Sequence, residues 1–368
     1  TKVLGKGFER EGLSWIPNGI AALSRAYDGR PRCNYCGQCG RGCPRRDRGS
    51  ADLTFVAKAV ATGNCELRSG AEVLMLEPGP ADRVQAAVYV DGEGARQRVE
   101  ADHFVVACGA VETPRLLLNS TGGSAPEGLG NETGHVGRHF LETLMWSSAA
   151  LHPDRLDGHR GLPSDAVCWD FNRPDSIPGV IGGVRLSPIT LEADFGGPIS
   201  YATRVVDGWG KAHKQSMRER FGHVLALGGI GESLPNSRSF IDLDPDATDR
   251  HGLPKARIHS YLPEMELRRL EFLAQTSRRV LEAAGVGEVI EEYGSYDLFN
   301  SSHVFGTCRM GDDPEASVVD ATCRSHRWKN LLVTDASVFP SSGGGESPSL
   351  TIYALSLLAA EKLKDRGL

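Results

Sequence analysis

Two short apolar runs, each leading through a turn into a helix, constrain this chain most. His103-Phe104-Val105-Val106-Ala107 reads as a buried strand, and Cys108-Gly109-Ala110 punctuates it. Val111–Asn119 then shows helical spacing at Val111, Leu116 and Leu117. Leu331–Thr334 is a second buried strand, ending at Asp335. The glycine-rich loop Gly343-Gly344-Gly345 separates it from a helix over Ser349–Lys364. Strands of this kind pack on both faces, so at least part of the chain is α/β.

Other stretches follow a different pattern. Glu72–Glu77 and Val84–Val90 read as strands, and the turn Asp91-Gly92-Glu93-Gly94 returns the chain to a strand near Gln97–Val99. Together they predict a small antiparallel insertion. Residues 140–260 alternate apolar and polar positions and predict a sheet-based lobe. Helices are expected over Leu53–Ala61 and Pro263–Ala284. The second has Leu267, Leu270, Ala274, Ser277 and Leu281 on one stripe and Gly285 beyond its end. At 368 residues the chain has room for two domain-sized units. Divisions are expected at 1–140, 141–295 and 296–368.

A net charge of −6 gives no footprint for nucleic acid or an anionic membrane. No apolar run approaches the ~20 residues that span a bilayer, and no secretory leader is visible, so a cytoplasmic protein is expected.

The chemistry concentrates near the C-terminal end. Ser347 is placed to cap the last helix and Pro348 to begin it. Such a helix start presents free N–H donors and about half a positive charge. It suits a phosphate or the N1–C2=O edge of a reduced flavin, or it is simply a capped surface helix. His303 lies just before a glycine-containing turn. Histidine titrates near working pH, which fits a proton-abstracting base, although a structural histidine reads the same way in isolation.

Taken together these segments are more specific. His303-Val304-Phe305-Gly306-Thr307-Cys308-Arg309-Met310-Gly311, then Leu331-Leu332-Val333-Thr334-Asp335-Ala336-Ser337, then the Pro348-Ser349-Leu350-Thr351-Ile352 helix start resemble the C-terminal signature of the glucose–methanol–choline (GMC) oxidoreductases. Gly109 to Ser120 resembles that family's second signature, with Thr121 where glycine is usual. Asn131 and Val136-Gly137-Arg138-His139 resemble the segment after it.

The resemblance implies an FAD-binding, Rossmann-like lobe, incomplete here, and a substrate lobe on an antiparallel sheet. It implies oxidation of an alcohol or sugar C–OH, with His303 as the base and hydride passing to flavin N5. By position, Val73, Gly109, Asp335, Ala336, Ser347 and Pro348 fall on FAD contacts. Ser347 stands where the family usually has histidine or asparagine, so it can hydrogen-bond a substrate oxygen but not act as a base. No G-x-G-x-x-G follows a strand before Glu72. The partners implied are therefore an N-terminal FAD-binding half or second subunit, together with an electron acceptor; the alternative is an inactive fragment or one half of a split flavoenzyme. Trp146, Trp169, Tyr201 and Trp209 are candidates to line a sugar site, or else core and rim residues.

Cys33, Cys36, Cys39 and Cys43, with Pro44 following, have the spacing of a bacterial iron–sulfur run. A cluster held there would make the chain an electron-transfer subunit. Buried thiols, a disulfide or a zinc site are the alternatives.

Overall fold

The computed structural model describes residues 1–158, 160–299, 301–345 and 347–365. The chain forms two compact units, and these cut it differently from the expected lobes. One unit takes residues 1–67, 144–231 and 264–300; the other takes 68–143, 232–263 and 301–368.

In the first unit, a four-stranded antiparallel sheet runs in the order Glu288–Gly294, Leu144–Leu151, Val224–Gly231, Val184–Pro188. The alternation expected over 140–260 does not appear in these strands: Val184–Pro188 is buried throughout and Val224–Gly231 at every position but one. The helix Glu264–Ala283 buries Leu270, Leu273, Ala274, Ser277, Val280 and Leu281. The expected stripe is thus right except at Leu267, which stays 36% exposed while Leu273 and Val280 turn inward.

A second helix, Lys2–Arg10, packs against this one and explains why residues 1–67 belong to this unit. A Cβ at Gly7 would sit 2.4 Å from the Val280 carbonyl oxygen, so glycine sets the approach of the two helices. The predicted Leu53–Ala61 helix appears as a π-helical turn over Asp52–Val56 followed by an α-helix over Ala57–Ala61.

The second unit holds both apolar runs. Phe104–Val106 and Leu331–Val333 pair in parallel, with Phe104 opposite Leu331 and Val106 opposite Val333. Beside them is the three-stranded antiparallel sheet of Glu72–Pro78, Val84–Val90 and Arg96–Glu100. One core joins Leu76, Val84 and Ala87 of this sheet to Phe104, Val106, Leu331 and Val333.

Asn330, invisible as a structural residue in the sequence, ties the two sheets together. Its amide nitrogen donates to Val84 O (2.9 Å) and Asp102 O (3.0 Å), and its oxygen accepts from Val84 N (2.8 Å). The helices Gly109–Asn119 and Ser349–Asp365 flank the unit's core. Among the described residues, no helix is long and apolar enough to cross a membrane.

Candidate active site

His303 enters a two-residue strand, Val304–Phe305, which pairs antiparallel with Leu141–Glu142. The ladder continues one residue further, because Thr143 N–H donates to the His303 carbonyl at 3.0 Å. Ser301 Oγ donates to the same carbonyl (2.9 Å) and accepts from His303 N–H (3.2 Å). The other side of the strand is held by the turn Ala336–Val338: Gly306 N donates to Ala336 O (3.2 Å) and Cys308 N to Ser337 O (2.8 Å). The backbone that carries the half-buried His303 is therefore fixed from both sides.

Gly306 makes this possible. Its φ is +87°, and a Cβ there would lie 2.4 Å from the His139 carbonyl oxygen. Gly306→Ala should destabilise the fold by ~2–4 kcal/mol, since strain and a backbone clash add. A denaturation midpoint unchanged by the substitution would show that the strand has room to move.

Asp335 is the hub of the neighbouring backbone. Its Oδ2 accepts from Gly109 N (2.9 Å) and Thr113 Oγ (2.5 Å), while Oδ1 accepts from Ser337 N (2.7 Å). Thr307 Oγ donates to Ala110 O at 2.7 Å. Gly109, Asp335, Ala336 and the His303 strand are thus joined in one hydrogen-bonded network. Thr113 belongs to that network, although nothing in the sequence distinguished it from an ordinary helical threonine.

Gly109 has φ +83° and nothing within 4 Å of where a Cβ would stand, so the backbone at this helix start faces open space. A flat ring or a phosphate can approach such a backbone closely.

The last helix starts where the Ser349–Lys364 reading put it, which leaves Pro348 just ahead of it rather than within it. Ser349 is its first residue, and the Pro348 carbonyl accepts the first helical bond from Ile352 N (2.9 Å). Ser347 lies exposed ahead of that start, and Pro348 is half-buried. The helix docks near Asp335, with Ser356 Oγ donating to Thr334 O at 3.0 Å. Val73 sits apart on the three-stranded sheet, opposite Tyr89 at an irregularity in the register.

Two further groups near the Val304–Phe305 strand were given no role in the sequence reading, which met His139 only within the Val136–His139 segment. His139 has φ +58°, and its Nδ1 is buried without a hydrogen-bond partner. Burial, followed by the nearby Arg309, lowers its pKa. Glu142 is 4% exposed; its Oε1 accepts from Ser260 Oγ (2.5 Å) and its Oε2 is buried without a partner.

Burial pushes the Glu142 carboxyl pKa up. The folded chain therefore holds this proton more tightly than the unfolded chain does. Its contribution to stability is full below the ordinary glutamate range and falls as pH rises through the raised folded value. In Glu142→Gln that decline should flatten, and melting temperatures measured from pH 4 to 8 would reveal it. Parallel wild-type and variant curves would remove the assignment.

The four cysteines of the run act on one another, but they do not form the ligand set that their spacing predicted. Among the described residues, no group of three or more His, Cys, Asp or Glu side chains is arranged to hold a metal ion, and all nine cysteines are free thiols. Burial raises the Cys39 pKa; Arg48 opposes this, and the thiols of Cys33, Cys36 and Cys43 add to it.

Local turns explain the outcome. The loop passes through left-handed conformations at Tyr35, Gly37, Gly42 and Arg46. Cys33 Sγ accepts from Tyr35 N (3.4 Å), and Cys43 Sγ donates to Asp47 Oδ1 (3.3 Å). The iron–sulfur expectation for Cys33, Cys36, Cys39 and Cys43 is corrected accordingly. The aromatic residues also scatter: Tyr201 is fully buried, Trp209 is 89% exposed, and Trp146 donates to Ser148 Oγ (2.8 Å).

Comparison with known proteins gives this geometry a family. Residues 18–143 and 235–356 match two models, each described as GMC oxidoreductase. The 2-methyl-1,2-propanediol dehydrogenase of Mycolicibacterium austroafricanum is 30% identical over 99% of this chain and 66% of its own length. The paromamine 6'-oxidase of Streptomyces fradiae is 32% identical over 95% of this chain and 62% of its own length. A solved structure of Aspergillus oryzae formate oxidase, from work on its FAD modification, has the same fold. Its TM-score is 0.68 at 17% identity, over 100% of this chain and 70% of that one. The chain thus spans about two thirds of the length of the curated relatives it matches. With the two matches in order along one polypeptide, and a relative aligned over nearly all of it, the chain belongs to the GMC oxidoreductase family.

Proposed function

We propose that this chain carries the proton-accepting part of an FAD-dependent enzyme that oxidises an alcohol or sugar C–OH to a carbonyl. The observation that carries the reading is the network joining the His303 strand, the Ala336–Val338 turn, Asp335 and the start of the Gly109–Asn119 helix. The names of two relatives, a 2-methyl-1,2-propanediol dehydrogenase and a paromamine 6'-oxidase, support alcohol oxidation.

The residues present suit the cofactor. The backbone at Gly109 is open where a side chain would otherwise intrude, and the free start of the Ser349–Asp365 helix favours negative charge. Gly109, Asp335, Ala336, Ser347 and Pro348 would hold the ring end, and Val73 the adenine end through its main chain. When bound, FAD supplies the hydride acceptor. His303 accepts the hydroxyl proton at its imidazole nitrogen, and its fixed backbone keeps that nitrogen in register. Ser347 hydrogen-bonds the substrate oxygen without taking its proton.

Loading the protein with FAD and following bleaching of the flavin by a panel of diols, amino sugars and sugars tests this reading. Bleaching by at least one alcohol is expected. A bound flavin that none of them reduces would overturn it.

A further inference from the structure

The three-stranded sheet of the second unit ends in an open edge. Arg96–Glu100 pairs on one side with Val84–Val90 and on the other with no strand among the described residues. All five of its residues are exposed. The register fixes which backbone groups are unused. Asp91 N donates to Ala95 O at 3.0 Å, so the hydrogen-bonded pairs continue at Tyr89 with Gln97 and at Ala87 with Val99. The N–H and C=O groups of Arg96, Arg98 and Glu100 therefore point outward, ready to pair with another strand.

Natural edges are often guarded by lysine or proline. This one carries neither, and its charges are of both signs. Arg96 and Glu100 stand at its two ends, with Arg98 between them on the same face. Arg98 is already neutralised within the chain, by Glu77 at 2.8 Å and by Glu100. Arg96 makes no ion pair among the described residues.

Read antiparallel against itself with Arg98 at the centre, the segment Arg96-Gln97-Arg98-Val99-Glu100 is complementary. Arg96 meets Glu100 at both ends, and Gln97 falls opposite Val99, which is 40% exposed. We propose that this edge is a self-association surface. Two copies pair antiparallel through Arg96–Glu100 about a two-fold axis at Arg98, and their sheets become continuous. Each contact is then made twice, as the symmetry requires.

The same pairing carries the turn Asp91–Ala95 of each copy past Glu100 of the other, alongside Ala101 and Asp102. A cleft of about 480 Å³ lies there, lined in part by Arg83, Gln85, Glu100 and Asp102. Arg83 and Glu93 are both exposed, so Arg83 of one copy can receive Glu93 of the other, while Arg96 takes up Glu100. A five-residue strand pair alone falls short of the ~1,200 Å² of a small stable interface, and the seated turn brings it nearer. A reversible dimer is the expected form.

The test reads association and not turnover, so it is independent of flavin binding. Sedimentation velocity on the full chain from ~1 to ~200 µM should show a monomer passing into a dimer, as suits an interface of this size. Hydrogen exchange locates the contact. In the dimer the amides of Arg96, Arg98 and Glu100 should exchange about tenfold more slowly or less, while those of Gln97 and Val99, already bonded within the sheet, change little. Charge reversal fixes the register. Arg96→Glu sets two acids against each other at both ends, and Glu100→Arg sets two bases. Each variant alone should dimerise about tenfold more weakly or less, with its melting temperature unchanged because both positions are exposed. Mixed one to one, the two variants are complementary at both ends, and the dimer should return between unlike copies. A chain that stays monomeric throughout, variants that dimerise like wild type, a mixture that remains monomeric, or a dimer in which the Arg98 amide still exchanges freely would each overturn the proposal.

Discussion

His303→Ala should lower flavin reduction by alcohol ~10²–10⁴-fold, the range for removal of a general base. The fold should survive, because the backbone hydrogen bonds that hold this residue are kept in the variant. Thr143 N–H and Ser301 Oγ both bond the His303 carbonyl, and alanine retains that carbonyl. The loss should fall on the chemical step, with KM little changed, since the side chain acts on a proton that moves only in the transition state. Single-turnover flavin reduction in the variant and wild type is the measurement. Full turnover by the variant would remove His303 from the mechanism and leave the family assignment intact.

Asp335→Ala should cost about 4 kcal/mol of stability, the second large effect. Three donors, Gly109 N–H, Thr113 Oγ–H and Ser337 N–H, converge on this carboxylate, which is 6% exposed. Charge-assisted bonds contribute ~1.5–3 kcal/mol each, and truncation leaves the donors in a site closed to water. Asp335→Asn should recover only part of this, because an amide turns an N–H toward one of the backbone N–H donors. Flavin affinity should fall in both variants, since the open backbone at Gly109 is held by the same carboxylate. Chemical denaturation monitored by tryptophan fluorescence gives the first number and flavin titration the second. A melting temperature of Asp335→Ala equal to wild type would mean the network is incidental.

The elements that were legible in the sequence are those with a sustained apolar run or period of their own. Val84–Val90 appears as read, and the Glu264–Ala283 helix matches its prediction to within a residue at either end. Within that helix Leu267 failed, because the buried face answers to the sheet and to the Lys2–Arg10 helix together, which periodicity alone does not register. The cysteine run failed for a related reason. Spacing describes which thiols are near in sequence, whereas the left-handed turns at Tyr35 and Gly37 decide where they point.

Within the candidate site, His303 and Asp335 were visible because each stands at a strand end beside glycine or a short turn. Thr113, Glu142, His139 and Asn330 were not. Each resembles a common surface or helical residue until the partner that gives it meaning is brought alongside from far off in the chain. Asn330, for example, bonds Val84, 246 residues away.

By itself, then, the sequence determined the residue chemistry and the local elements: the apolar strands, the acid that ends one of them, and the histidine ahead of its turn. Only the tertiary structure decided that Asp335 closes the helix start at Gly109 and that His303 is gripped between Thr143 and its neighbours. Those outcomes depend on hydrogen bonds between segments more than a hundred residues apart, and such bonds leave no periodicity in the chain that makes them.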